Sequence, residues 1–264
     1  MLAAADPGQY VARVGLPADL CDCLRSARRV TVLTGAGVSA ESGLPTFRGD
    51  QGVWNSPKLL EFATPDGFRR DPRGAWEWYQ QRRGEGLAAG PNPAHLALAR
   101  WETWLAGRGG RFHLITQNID GLHQAAGSKN VIELHGSGWV LRCTACGRER
   151  LDRTHPLPEL PPRCPECGGI ERPGVVWFGE MLPEEALEGA QRAARECELF
   201  VSVGTSGVVY PAASFGLLAS LAGAPTLEVN LEPTPLSARF TWALCGAAGE
   251  IVPRLTALAT EAPD

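Results

Sequence analysis

The chain has 264 residues, enough for one large domain or a large and a small one, and its 44% hydrophobic against 20% charged residues is the balance of a soluble globule. A formal charge of −4 with no long basic run gives no electrostatic reason to expect a specific nucleic-acid partner. The N-terminal MLAAADPGQY lacks the basic and apolar regions of a secretory signal, and the longest apolar stretch, Phe215 to Leu227, is too short to span a bilayer, so a cytoplasmic protein without a membrane partner is expected.

Residues 1–29 read as a polar start and one amphipathic helix, with Leu20, Leu24 and Ala27 on a face. Val30-Thr31-Val32-Leu33 is apolar and β-branched, the pattern of a buried strand. The glycine turn Gly35-Ala36-Gly37 follows at once, and Ser39, Ala40, Glu41 and Ser42 can open a helix. Strand, glycine turn and helix start is the arrangement that receives a pyrophosphate, because glycines let the backbone approach and free N–H groups face the anion. Gly35-x-Gly37-x-x-Ala40 fits the dinucleotide pattern in its G/A form, although a plain tight turn explains the same glycines. A dehydrogenase would place an acidic residue at the end of the next strand, about 20 residues on. Here that region reads Trp54-Asn55-Ser56-Pro57-Lys58, which is no strand, so any dinucleotide is held by another recipe. Gly43 and Pro45 cannot continue a helix, and the segment to Gly49 is expected to loop over whatever the turn holds.

Residues 58–106 read as helical, with breaks at Pro65, Pro72 and Gly90-Pro91. One helix opens at Asp71-Pro72 and carries Trp76, Trp78, Tyr79, Arg82 and Arg83; a second runs from Pro93 to Leu105. Phe112 to Thr116 and Val131 to Leu134 are candidate strands, followed by Gln117-Asn118-Ile119-Asp120-Gly121 and by His135-Gly136. Residues 139–173, rich in Cys, Pro, Arg and Glu, read as an inserted small module. Beyond it come a strand-like Val175 to Phe178, a helix from Pro183 to Cys197, and a strand Leu199 to Val203 before Gly204-Thr205-Ser206. A helix from Ala212 to Ala222 then leads to a strand Thr226 to Val229 before Asn230-Leu231-Glu232. Such alternation predicts a parallel sheet covered on both faces, with ligand at the carboxyl ends of its strands. Gly35, Gln117, His135, Gly204 and Asn230 all fall there.

The strongest chemical signal is Cys143-x-x-Cys146 with Cys164-x-x-Cys167. Four thiolates in two chelating pairs match tetrahedral zinc, and a site closed by four protein ligands makes that metal structural. His135 is suited by its ordinary pKa to take a proton near neutrality, but a core histidine satisfied by backbone reads the same way; His95, His113, His123 and His155 stay in that class. Gln117-Asn118-x-Asp120 either orients a polar ligand or forms an Asx turn before Gly121, and Gly204-Thr205-Ser206 is either an anion or ribose contact or a capped turn.

Taken together, these pieces resemble the sirtuin family, the NAD-dependent protein deacylases. The resemblance rests, in order, on the run from Gly35 to Arg48, Pro91-Asn92-x-Ala94-His95, the run from Gln117 to His123, Leu134-His135-Gly136, the four cysteines, Phe178-Gly179-Glu180, Gly204-Thr205-Ser206 and Val229-Asn230. It implies an α/β fold: a Rossmann-like parallel sheet with helices on both faces, approximately residues 1–57, 111–138 and 174–264. It further implies a small domain made of a helical module, approximately 58–110, and a zinc ribbon, approximately 139–173. By the same resemblance NAD is a co-substrate, contacted by Gly35, Ala36, Gly37, Ala40, Glu41, Pro45, Thr46, Phe47, Arg48, Trp54, Gln117, Asn118, Ile119, Asp120, Gly204, Thr205 and Ser206. Asn230, Leu231, Glu232 and Ala248 would serve its adenosine end. His135 would be the general base on a ribose hydroxyl, with Asn118 beside it, after the acyl oxygen of an acyl-lysine has displaced nicotinamide. The products are free lysine and O-acyl-ADP-ribose. The peptide would add as a strand between Phe178-Gly179-Glu180 and the segment after Gly204.

Tyr79 and Arg82 are three apart on a predicted helix and share a face, where a phenol and a guanidinium can bind a carboxylate. A solvated arginine beside a packing tyrosine fits the periodicity as well. The chain resembles the class III, desuccinylase- and demalonylase-like, bacterial sirtuins, which carry Tyr-x-x-Arg here and a small residue where this chain has Ala63. That resemblance implies removal of succinyl and malonyl groups, and also acetyl. Mono-ADP-ribosyl transfer and a non-catalytic zinc-ribbon adaptor are the competing readings. Nothing in the sequence sets the oligomeric state.

Overall fold

The β-branched run around Val30 forms β1 (Arg29–Thr34), near the middle of a six-stranded sheet. The computed structural model describes residues 15–46 and 57–261. On one side of β1 lie β2 (Arg111–Thr116) and then β3 (Val131–Glu133); on the other lie β7 (Leu199–Val203), β8 (Thr226–Asn230) and β9 (Trp242–Cys245). Every pairing in this sheet is parallel, and Leu33 sits between Ile115 and Ser202.

Successive side chains of a strand point to opposite faces, and a parallel sheet buries both. Val30, Val32, Phe112 and Leu114 face one core with α1 (Ala18–Ser26), α5 (Pro93–Ala106) and α9 (Ala248–Thr260), which contribute Leu20, Leu24, Leu98, Trp101, Val252 and Leu255. Leu33, Ile115 and Phe200 face a second core with α7 (Glu184–Glu196) and α8 (Phe215–Leu221), which contribute Ala190, Ala193, Phe215 and Ala219. The small alanines of α7 let its backbone lie close to the strands.

A second, antiparallel sheet has β4 (Gly136–Cys143) between β5 (Glu149–Leu151) and β6 (Glu171–Val175). Three helices, α2 (Pro57–Phe62), α3 (Pro65–Arg70) and α4 (Pro72–Ala89), pack on it through a third core that includes Phe62, Phe68, Trp76, Tyr79, Leu141 and Trp177. Pro65 and Pro72 both open helices, where the missing N–H costs nothing, and Thr64 and Asp71 cap them by accepting the amides of Gly67 and Gly74.

The fold departs from the sequence expectation at four places. The helix after the glycine turn is a 3-10 helix, Ala36–Ser42, ended by Gly43 at φ 86°. The strand expected at Val175 to Phe178 lies earlier, as β6, and the chain then turns, with Glu180 N–H donating to Trp177 O at 3.0 Å. Two charged residues disguise β6: Glu171 and Arg172 are buried there, paired with Arg150 at 2.7 Å and Glu180 at 2.6 Å. The helix expected from Ala212 is a 3-10 turn, Ala212–Ser214, followed by α8. Finally, β9 and α9 extend the sheet and its cover beyond the last predicted strand. Among the described residues no helix is long and apolar enough to cross a membrane.

Candidate active site

Gly35, Gln117, Gly204 and Asn230 meet at the carboxyl ends of β1, β2, β7 and β8, as the alternation predicts. Gly35 N–H donates to Val203 O at 3.1 Å and Gly37 N–H to Gly204 O at 2.9 Å. A Cβ on Gly37 would lie 2.7 Å from Gly204 Cα, and one on Gly204, at φ 62°, would lie 2.4 Å from Val38 N. These glycines therefore allow two strand-end loops to pack backbone against backbone. Thr205 O accepts the Asn230 side-chain amide at 2.7 Å, which ties the loop after β7 to the end of β8, while Leu231 and Glu232 stay exposed and Ser206 is half-buried. The Glu41 carboxylate accepts Gly249 N–H at 2.6 Å, at the start of α9 beside the buried Ala248, so the 3-10 segment that also holds Ala36 and Ala40 is pinned to that helix. Pro45 and Thr46 continue from this segment, exposed and half-buried respectively. Phe47, Arg48 and Trp54 lie outside the described residues.

His135 follows β3. Its Nδ1 lies 2.9 Å from Gln117 O. A carbonyl can only accept, so Nδ1 carries the hydrogen and Nε2 keeps its lone pair. Burial lowers the pKa of His135 below the usual imidazole value, against a smaller upward pull from the Gln117 carbonyl. The ring is thus a neutral base at physiological pH.

Asn118 is buried; its amide donates to Gly35 O and to Ser39 Oγ, both at 3.1 Å. Ser39 Oγ in turn donates to Asp120 Oδ2 at 2.8 Å, and Leu122 N–H holds Asp120 Oδ1 at 2.9 Å. Burial raises the Asp120 pKa, offset in part by those two bonds. The Asp120 carbonyl accepts the Trp139 indole N–H at 2.8 Å, which joins the β2 loop to β4. Ile119 between them packs against the third core.

Below this cluster lie two histidines that the sequence reading leaves as core residues. His95 Nε2 is 3.4 Å from Ser39 Oγ, its ring centroid is 4.7 Å from that of His123, and His123 Nε2 is 2.9 Å from Thr34 Oγ1. Both are fully buried. They are core histidines, and His95 also reaches Ser39, the residue that Asn118 and Asp120 share. Ser39, named in the sequence only as a helix opener, is the hub of the cluster; its place directly after the glycine turn was the available signal.

The four cysteines converge, with all Sγ atoms within 4.8 Å of one another, Cys143 to Cys167 at 3.5 Å and Cys146 to Cys164 at 3.8 Å. Zinc–sulfur bonds of about 2.3 Å in a tetrahedron imply sulfur–sulfur edges of about 3.8 Å, so the set fits one structural zinc ion. The same spacing is far too long for disulfides.

On α4, the Tyr79 hydroxyl accepts the Trp177 indole N–H at 2.8 Å. Burial raises the tyrosine pKa, so the phenol stays protonated with its own hydrogen to donate. Arg82 is partly exposed and pairs with Glu85 at 3.2 Å. Ala63 is buried in the same core, and its carbonyl accepts Phe178 N–H at 3.0 Å; Gly179 follows in the left-handed region at φ 87°.

A parallel sheet with a loop cradle, a neutral imidazole at its rim and a four-thiolate ribbon defines a dinucleotide-dependent α/β protein with a zinc module. Residues 35–211 match the Sir2 family. The chain belongs to that family. It is 54% identical over 208 residues to the NAD-dependent protein deacylase of Aquifex aeolicus, covering 79% of this chain and 85% of that one. It is 43% identical over 258 residues to the NAD-dependent protein deacylase sirtuin-5A, mitochondrial, of Xenopus laevis, covering 89% and 84%. Among solved structures, a Sir2 homolog–NAD complex superposes with a TM-score of 0.85 at 42% identity, covering 93% of this chain and 94% of that one. A Sir2–p53 peptide–NAD+ complex does so with a TM-score of 0.76 at 33% identity, covering 91% and 97%.

Proposed function

We propose that the chain is an NAD-dependent protein-lysine deacylase that frees lysine and releases nicotinamide and O-acyl-ADP-ribose. The observation that carries this reading is the His135 imidazole at the sheet's rim, with Nδ1 anchored on Gln117 O and Nε2 left as the basic nitrogen. NAD, when bound, supplies an electrophilic ribose carbon with nicotinamide as its leaving group. Asn118 and Asp120, locked by Ser39, position the nicotinamide end. Gln117 orients the ribose hydroxyls, and His135 Nε2 takes a proton from one of them. The stretch from Gly35 to Arg48, with Trp54, covers the dinucleotide, and Gly204, Thr205 and Ser206 supply a second anion or ribose contact. Asn230, Leu231, Glu232 and Ala248 serve the adenosine.

In this reading the Rossmann-like domain comprises approximately residues 1–57, 111–138 and 174–264. The helical module, approximately 58–110, and the ribbon, approximately 139–173, form the small domain. The enzyme is cytoplasmic and its substrate is an acyl-lysine protein or peptide, a class supported by the Sir2–p53 peptide–NAD+ complex; the peptide backbone adds as a strand between Phe178-Gly179-Glu180 and the segment after Gly204. The acyl chain runs past Ala63 toward Tyr79 and Arg82, which receive a terminal carboxylate, so that succinyl and malonyl groups are removed as well as acetyl.

A panel of acetyl-, malonyl- and succinyl-lysine peptides with NAD tests this. Arg82→Met removes a charge-assisted bond of about 1.5–3 kcal/mol, so succinyl and malonyl turnover fall by roughly one to two decades relative to acetyl. Equal losses on all three peptides would defeat the acyl assignment.

A further inference from the structure

Arg82 already has a carboxylate on it. Glu85 Oε2 sits 3.2 Å from Arg82 Nη1, and both side chains keep about a third of their surface, at 29% and 33% exposure. Glu85 is itself held, since Gln81 Nε2 donates to its other oxygen at 2.9 Å. Arg82 lies over the Trp78 ring, 5.5 Å from its centroid, and that ring meets Tyr79 edge-on at 4.7 Å. Trp78 thus stands between the buried Tyr79 and the partly exposed Arg82, and Gln81, Arg82 and Glu85 form a hydrogen-bonded group on the outer side of α4. The Arg82 guanidinium is not saturated by its partner: its Nε is buried and meets no acceptor. One cation therefore faces an internal anion while keeping an unused donor.

We infer that Glu85 sets the acyl preference of this chain by neutralising Arg82, so that an acyl group ending in a carboxylate must share the guanidinium with a resident one. The inference rests on the reading of Tyr79 and Arg82 as the acyl-carboxylate contacts. With Glu85 charged, the Arg82–Glu85 pair has no net charge, and an incoming carboxylate must compete with the resident one for the guanidinium. A neutral acetyl group enters no such competition. Glutamine at 85 can still accept from Arg82 Nη1 through its one carbonyl oxygen, while its NH2 takes the place of the oxygen that accepted Gln81, whose own amide can turn to accept it; the arginine keeps its partner and the negative charge is removed. Glu85→Gln therefore tilts the enzyme toward dicarboxylic acyl groups, and the partial exposure of the pair keeps the effect modest.

The experiment is a double-mutant cycle on kcat/KM for succinyl- and acetyl-lysine peptides, using wild type, E85Q, R82M and the double variant, each with its thermal midpoint recorded. In E85Q the succinyl-to-acetyl ratio rises about two- to fivefold, the range of a partly exposed ion pair. In the R82M background the same substitution leaves the ratio unchanged. If R82M lowers the ratio but E85Q does not raise it, Glu85 is only a helix-surface partner and the inference is overturned. A rise in E85Q that persists without Arg82 also overturns it, because the effect does not then pass through the guanidinium. If R82M leaves the ratio where it was, the underlying acyl reading fails, a result separable from both.

Discussion

Gly37 and Gly204 show what single residues contribute here. Their Cα atoms are so close that a methyl on Gly37 would stand 2.7 Å from Gly204 Cα and 2.8 Å from Gly204 O, with rigid backbone on the far side. Gly37→Ala is therefore expected to cost about 1–3 kcal/mol by overpacking and to displace the loop before it touches any ligand. Its thermal midpoint falls by several degrees and its KM for NAD rises, measured on folded protein. An unchanged midpoint with unchanged KM would show that the two loops do not depend on this contact. The sequence motif was legible as a glycine turn, but its reason was not. The partner of Gly37 lies after β7, and only the parallel pairing of β1 with β7 brings the two glycines together.

At the scale of elements, the strands and helices that alternate in composition were readable, and those whose burial depends on pairing were not. Val30 to Leu33 needs only its apolar, β-branched content to read as β1. Strand β6 hides Glu171 and Arg172 in ion pairs, and α9 carries Pro253 inside, so neither shows the pattern of its class. Helix α5 carries a further consequence. His95 Nδ1 accepts Asn92 N–H at 3.3 Å in a reciprocal capping box, which requires that nitrogen unprotonated. Burial lowers the His95 pKa to about 4. The unfolded chain binds this proton near pH 6.5, so stability is fully present above that value and is lost as pH falls toward 4. The loss is about 3 kcal/mol for this residue. Urea unfolding from pH 7.5 to 4 is expected to show that extra slope in wild type relative to His95→Gln; parallel curves would contradict it.

Across the whole molecule, three cores are joined at one rim. Strand β4 runs from the residue after His135 to Cys143, so one strand connects that imidazole to the cysteine ribbon. Trp139 on that strand reaches the Asp120 carbonyl, and Tyr79 on α4 reaches Trp177. The cysteine spacing and the strand-end positions of His135 and Asn118 were legible, because each depends on local periodicity or chelate spacing. The Ser39 hub and the paired histidines beneath it were not, because packing decides them; the Glu85 counter-ion, three residues from Arg82 on α4, was within reach of helical spacing but went unread. The direct measurement is simultaneous quantification of nicotinamide and free lysine from an acyl-lysine peptide with NAD, for wild type and His135→Ala. The account predicts one nicotinamide for each lysine freed, and loss of free lysine in the variant. Lysine released without nicotinamide, or undiminished release by His135→Ala, would contradict it.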